Sequence, residues 1–222
     1  MVVAGSVTIP VNTIELTPGS VVAIHNVSWA QFESILDSLG EQRRTRIAYY
    51  DGILEIMSPL PAHERPNRII GYIVTVLLDA GDRPWEDFGS TTFRRQKNMA
   101  GLEPDTCFYI DDHADQVREC MMSMDLEVYP PPDLAIEADL TSKTRLDAYR
   151  GIGVCEVWIY AEGKLTIHVL QDGEYVESET SPTFPNRAVT DLIPEWVAQA
   201  LQTGSSQLLK TLRRQLTEES DS

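Results

Sequence analysis

The chain has 222 residues, 42% of them hydrophobic and 23% charged, with a mean hydropathy of -0.20. That composition excludes collagen-like and disordered classes and fits one globular domain, long enough to bury a core without disulfides or a structural metal. A total of 18 Lys and Arg against 34 Asp and Glu leaves a net charge of -16, which counts against a nucleic-acid partner unless the basic residues are concentrated in one place. The three cysteines, Cys107, Cys120 and Cys155, are scattered without a CxxC pair, which argues against a zinc cage and for a reducing compartment. The opening MVVAGSVTIP lacks the charged start and apolar core of a secretory signal, and no run reaches the roughly 18 apolar residues of a membrane span. The expectation is a cytoplasmic protein.

Residues 1–27 are weakly patterned and read as a lead-in with short strands. SWAQFESILDSLG predicts a helix capped by Ser28, with Phe32, Ile35 and Leu36 on one face and Gly40 as its stop. TRIAYYDGILEIMSP reads as two strands around Asp51-Gly52, a dipeptide that favours the positive φ values of a hairpin turn. PAHERPNRIIGYIVTVLLDAG is the clearest helix: Ile69, Ile73, Val76, Leu77 and Ala80 form one apolar stripe, Pro66 is placed in the first turn, and Gly81 ends it.

WEDFGSTTFRRQ and LEPDTCFYI read as extended segments, and residues 111–131 as an acidic loop closing on three prolines. DLAIEADL is a strand. SKTRLDAYRGIG is a short helix with Thr141 or Ser142 as cap and Gly151 or Gly153 as stop. A strand meander follows, turning at Glu162-Gly163 and Asp172-Gly173. DLIPEWVAQAL and SSQLLKTLRRQL are C-terminal helices, and the final TEESDS is expected to be disordered. No repeat or linker splits the chain, so the predicted class is α/β, one mixed α+β domain with a central sheet, flanking helices and an N-terminal helix plus hairpin. The tryptophans and tyrosines fall at spacings expected of packing, not of base-stacking platforms.

The chemistry concentrates in DLAIEADLTSKTR. Residues two apart on a strand share a face, so Glu137 and Asp139 point the same way while Leu134, Ile136 and Ala138 point the other. Carboxylates in an apolar strand are costly unless they are paired, lie near its end, or hold a cation. Asp105 follows Pro104 at the start of DTCFYI; if that strand pairs with DLAIEADL, Asp105 and Glu137 converge at one edge. Two hard oxygen ligands on neighbouring strands suit Mg2+, which polarises a phosphate oxygen and activates water. The plain alternative is a structural ion-pair cluster.

In these residues the chain resembles the Uma-type restriction endonuclease family, part of the PD-(D/E)XK nuclease superfamily. The resemblance is carried by PD, then DLAIEAD, then RLDAYRGIGVCEVWIY, with the DG hairpin and MSPLPAHE before the long helix, and covers about residues 28 to 200. It implies a restriction-endonuclease-like core over 28–202, a C-terminal helix and tail over 203–222, and a Mg2+-dependent DNA endonuclease acting as a homodimer, with Mn2+ as a substitute ion. Carried over, Asp105 and Glu137 are the metal ligands and the carbonyl of Ala138 completes the inner shell. The superfamily's usual lysine position, two residues after the glutamate, holds Asp139 here. In the Uma-type pattern that lysine moves to the following helix, four residues before a tyrosine; counted back from Tyr149, that place holds Arg145, with Lys143 two residues earlier.

Arginine stays protonated and cannot be a general base, and Lys143 sits about 160° around an ideal helix from Arg145. The resemblance also brings His63, beside Glu64, toward the metal site as a contact to phosphate or water; the plain reading is an exposed helix-start residue. Basic residues cluster in EQRRTR (Arg43, Arg44, Arg46) and TTFRRQK (Arg94, Arg95, Lys97), the ordinary reading of both being solvated hairpin surface. Arg94, Arg95 and Lys97 are placed beside the PD strand, where they would contact the DNA backbone. The competing class is a catalytically silent nuclease-fold binding or assembly module, motivated by the charge of -16, Asp139 and Arg145.

Overall fold

The protein is described here from a computed structural model, in which residues 10–40, 43, 45–120, 124–138 and 143–220 are placed. Strand β1 (Val21–His25) precedes α1 (Trp29–Leu39). The helix begins where expected: the Ser28 hydroxyl accepts from the Gln31 backbone N–H at 3.3 Å, and Gln31 Oε1 accepts from the Ser28 N–H at 2.8 Å, so two orphan donors are satisfied reciprocally. It stops at Gly40, whose φ is 69°. The hairpin of β2 (Arg46–Tyr50) and β3 (Ile53–Met57) turns at Asp51 and Gly52, both with positive φ.

Helix α2 (Pro61–Ala80) spans the stretch its sequence pattern marked, with Gly81 as its stop. Pro61 takes the first position, which leaves Pro66 one turn inside instead of in the first turn; its missing N–H removes one bond of the helical ladder there. Next come β4 (Trp85–Asp87), β5 (Phe93–Arg95), β6 (Ala100–Leu102) and β7 (Thr106–Ile110). The segment read as a loop contains a helix, α3 (Asp112–Val117). Its buried Ala114 and Val117 hold it to the core, while Asp112 and Asp115 complement the positive end of its dipole. Then follow β8 (Leu134–Ala138), α4 (Lys143–Ile152), β9 (Glu156–Ala161), β10 (Lys164–Gln171), β11 (Glu174–Ser178), α5 (Val189–Thr203) and α6 (Ser205–Ser220). The last helix runs through most of the acidic tail expected to be disordered.

The expected central sheet is two sheets. One has the order β1-β3-β2-β6-β5 and the other β11-β10-β9-β8-β7-β4. The single extended segment read from WEDFGSTTFRRQ divides between them, with β4 beside β7 and β5 beside β6. Arg94 and Arg95 therefore lie on β5, and Lys97 in the one-turn 3-10 segment after it, in the sheet that does not contain β7. Their expected place beside the PD strand is corrected by that split.

The sheets stack with α4 between them. Ala148, Tyr149 and Ile152 of that helix pack with Ala48 and Ala100 on one side and Ala135 and Val157 on the other. Helices α2, α5 and α6 cover the far face of the six-stranded sheet, on Phe108, Leu134, Ile136 and Trp158. Helix α1 covers the far face of the five-stranded one, where Phe32 stacks on Tyr49 at 4.5 Å and Trp29 closes the cluster. Strands β8 and β9 are parallel, so they need a crossover, and α4 is that crossover. No helix among the described residues is long and apolar enough to cross a membrane.

Candidate active site

Strand β7 pairs antiparallel with β8, Thr106 opposite Ile136 and Cys107 opposite Ala135. One step further along this ladder, Asp105 comes opposite Glu137. Facing residues on paired strands have Cβ atoms about 5 Å apart. Asp105 Oδ2 accepts from the Ala138 N–H at 3.1 Å, which extends the pairing through the side chain where the backbone ladder ends. The alternation also holds: Cys107, Tyr109 and Ala135 face α4, and Asp105 and Glu137 continue that face. Thus the expected convergence of PD and the strand glutamate is present. Asp139 lies outside the described residues, as do the cap positions 141 and 142.

Glu137 is 1% exposed and Arg145 4%. Arg145 Nη2 donates to Glu137 Oε1 at 2.6 Å and to the backbone carbonyl of Glu103 at 3.3 Å. Tyr149 donates its hydroxyl to the same Glu137 oxygen. Arg145 and Tyr149 are four apart on α4, hence on one helical face, and the crossover lays that face over the end of β8. Burial pushes the Glu137 carboxyl up to about 7, against the pull of Arg145, with the Asp105 charge pushing the same way as burial and the Tyr149 hydroxyl opposing it. Burial pulls Arg145 down, but Glu137, Tyr149 and Asp105 outweigh it and hold the guanidinium above its ordinary range. Arg145 is thus a permanent cation.

A second arginine flanks the pair. Arg46 at the start of β2 places Nε 3.8 Å from Asp105 Oδ1 and Nη2 4.0 Å from Glu64 Oε1. Through Glu64 the first turn of α2 reaches the site, and His63 lies in that turn, its side chain outside the described residues, like that of Lys143 at the first position of α4. Asn67, one turn on and 4% exposed, donates to Thr106 Oγ1 at 3.1 Å and so fixes α2 to the strand that carries Asp105. Arg94 sits 3.8 Å from Glu33 on α1, Arg95 donates to the Leu126 carbonyl at 3.3 Å, and Lys97 is exposed. None of these three joins the carboxylate pair. Arg46 and Tyr149 do: Arg46, expected on solvated hairpin surface, reaches Asp105 from the start of β2, and Tyr149, used in the sequence only to count back to Arg145, shares the helical face of that arginine.

Among the described residues no group of three or more His, Cys, Asp or Glu encloses a point for a metal ion. The donor set fits Mg2+ nonetheless, because that ion is held by one or two carboxylates and keeps several waters. The mutual repulsion of Asp105 and Glu137 is what a divalent cation would relieve.

The model of the Uma2 family, described as "Putative restriction endonuclease", matches residues 29–202. A crystal structure described as "a putative nuclease belonging to DUF820" from Anabaena variabilis ATCC 29413 is 17% identical over 68% of this chain and 90% of that one, with a TM-score of 0.45. No curated protein matches the sequence.

Proposed function

Because the chain belongs to the Uma2 family, we propose that it is a metal-dependent nuclease hydrolysing phosphodiester bonds in DNA, with Asp105 and Glu137 as the metal-holding carboxylates and Mg2+ as the ion. The observation that carries this reading is the in-register approach of Asp105 to Glu137 across β7 and β8, tied by the bond to the Ala138 N–H. The Ala138 carbonyl is the third proposed donor. Bound there, the ion would polarise a phosphodiester oxygen and acidify a water. The chain's own groups orient the reaction. Arg145 fixes the Glu137 carboxylate from one side and places a permanent positive charge next to where phosphate charge accumulates. It cannot take a proton from water. Lys143, opening α4, and His63, in the first turn of α2, are the proposed contacts to phosphate or water. A homodimer would supply the two sites that double-strand cleavage needs.

The test is nicking of supercoiled plasmid by purified protein with Mg2+ or Mn2+. Cleavage that disappears in Glu137→Ala is the expected result; cleavage that survives removes Glu137 from the mechanism.

One observation favours a second reading, a catalytically silent binding or assembly module: Glu137 is already neutralised by Arg145 within the chain. Calorimetry separates the two. Heat of Mn2+ binding that vanishes in Asp105→Asn supports the nuclease, and no heat at millimolar Mn2+ supports the silent module.

A further inference from the structure

A cleft of about 570 Å3 opens beside the carboxylate pair, between the end of α1, the start of β2 and the segment leading into β5. Three guanidinium groups line it, those of Arg43, Arg46 and Arg94, against the carboxylates of Asp37 and Glu103. In a chain of net charge -16 that excess is itself unusual. Glu103 is matched inside the wall: Arg43 forms an ion pair with it, and Thr92 Oγ1 donates to it at 2.6 Å.

Two polar atoms on the wall are different. Arg46 Nε and Thr45 Oγ1 are buried and have no hydrogen-bond partner among the described residues. The nearest carboxylate oxygens to Arg46, on Asp105 and Glu64, stand at 3.8 and 4.0 Å, too far for a hydrogen bond. A buried N–H and a buried hydroxyl, adjacent in sequence and lining the same cleft, lack what an oxyanion supplies: a strong acceptor carrying negative charge.

We propose that this cleft binds a backbone phosphate of a nucleic-acid strand, with the Thr45 hydroxyl and Arg46 Nε as donors and Arg94 at the mouth taking a neighbouring phosphate. The proposal rests on the nuclease reading and deepens it. Arg46 touches both the cleft and Asp105, so a phosphate held on Arg46 leads the strand to the metal-holding carboxylates. It also explains how so acidic a protein takes a polyanion: the body repels the strand and the cleft alone admits it, so binding is local and strongly salt-dependent.

The experiment is fluorescence anisotropy of a short fluorescein-labelled oligonucleotide, single- and double-stranded, with the full chain in EDTA over a salt series. Wild type, Arg46→Met and Thr45→Val are compared, and near-UV circular dichroism of the Trp29, Phe32 and Tyr49 cluster checks that each variant is folded. Arg46→Met is expected to weaken binding about tenfold and to flatten the slope of log Kd against log salt by about 0.7 for a single strand or about 0.9 for a duplex, one phosphate's worth. Thr45→Val is expected to weaken binding about threefold with the slope unchanged, as loss of one uncharged hydrogen bond does.

Equal affinity and slope in all three proteins overturn the proposal, as does a wild type that binds no oligonucleotide. Inorganic phosphate that competes as well, per phosphate group, as unlabelled oligonucleotide overturns the strand and leaves a simple anion site. The two readings fail separately. Nicking that persists in Arg46→Met with unchanged KM sinks the cleft alone, whereas anisotropy that follows the expected pattern without any metal-dependent nicking sinks the nuclease alone.

Discussion

Arg145 Nη2 stands 2.6 Å from Glu137 Oε1, and both side chains are almost wholly buried. They are eight residues apart, one at the end of β8 and the other in the first turn of the crossover helix. Two opposite charges removed from water hold each other only in combination. Removing either leaves the other stranded.

At pH 8, where the Glu137 carboxyl is ionised beside it, Arg145→Met should therefore destabilise the protein by about 3–5 kcal/mol, the cost of breaking a buried pair. The double variant Glu137→Gln/Arg145→Met should recover much of that loss, since neither charge remains. Urea midpoints for the two single variants and the double variant measure the coupling. A double variant as unstable as the sum of the singles rules out a direct pair.

The same carboxylate gives the metal-free protein a pH signature. Glu137 holds its proton up to about pH 7 in the fold, against an ordinary value of 4.5. Between those values the folded state carries more protons than the unfolded one, so stability from this group is complete below about 4.5 and is lost as pH rises through 7. In EDTA, urea midpoints of the wild type should fall across that window relative to Glu137→Gln. A wild type that instead gains stability there refutes the raised value.

The close approach of α4 to β6 can be tested without touching the site. A Cβ built on Gly151 would overlap that of Ala100 and press on the Tyr50 ring. Gly151→Ala should cost about 1–3 kcal/mol of overpacking, read as a lowered urea midpoint. Because α4 carries Arg145, a stable Gly151→Ala protein would mean that the helix stands off the sheet.

Asp105 has a structural bond as well as its proposed metal role. Asp105→Asn keeps an acceptor for the Ala138 N–H, so its thermal midpoint should stay within a few degrees of wild type while Mn2+ affinity falls about tenfold or more by calorimetry. Equal Mn2+ affinity would place the ion elsewhere.

The elements legible in advance were those set by local rules. The helix from Trp29 to Leu39 was announced by Ser28 and Gly40, and the hairpin by Asp51-Gly52. The turns at Glu162-Gly163 and Asp172-Gly173 take the positive φ their residues favour. Helix α3 was missed because six residues with Ala114 and Val117 as their only buried side chains carry too little periodicity to stand out from an acidic loop. Pro66 was misplaced because Pro61 can open a helix equally well. The split of β4 from β5 depends on which partner each three-residue strand finds, and nothing local to either segment encodes it.

By itself, the amino-acid order determined that Asp105 and Glu137 would lie near the ends of two strands, and that Arg145 and Tyr149 would share a helical face, since these follow from periods of 2 and 3.6 residues. Only the tertiary structure decided that the two strands are neighbours in register, that the crossover helix presses Arg145 onto Glu137, and that Arg46 arrives from a separate sheet to flank Asp105. The reason is physical. Periodicity governs which way a side chain points, while the meeting of residues 33 and 59 positions apart, Ala138 with Asp105 and Asp105 with Arg46, is set by how whole layers pack to bury their apolar faces.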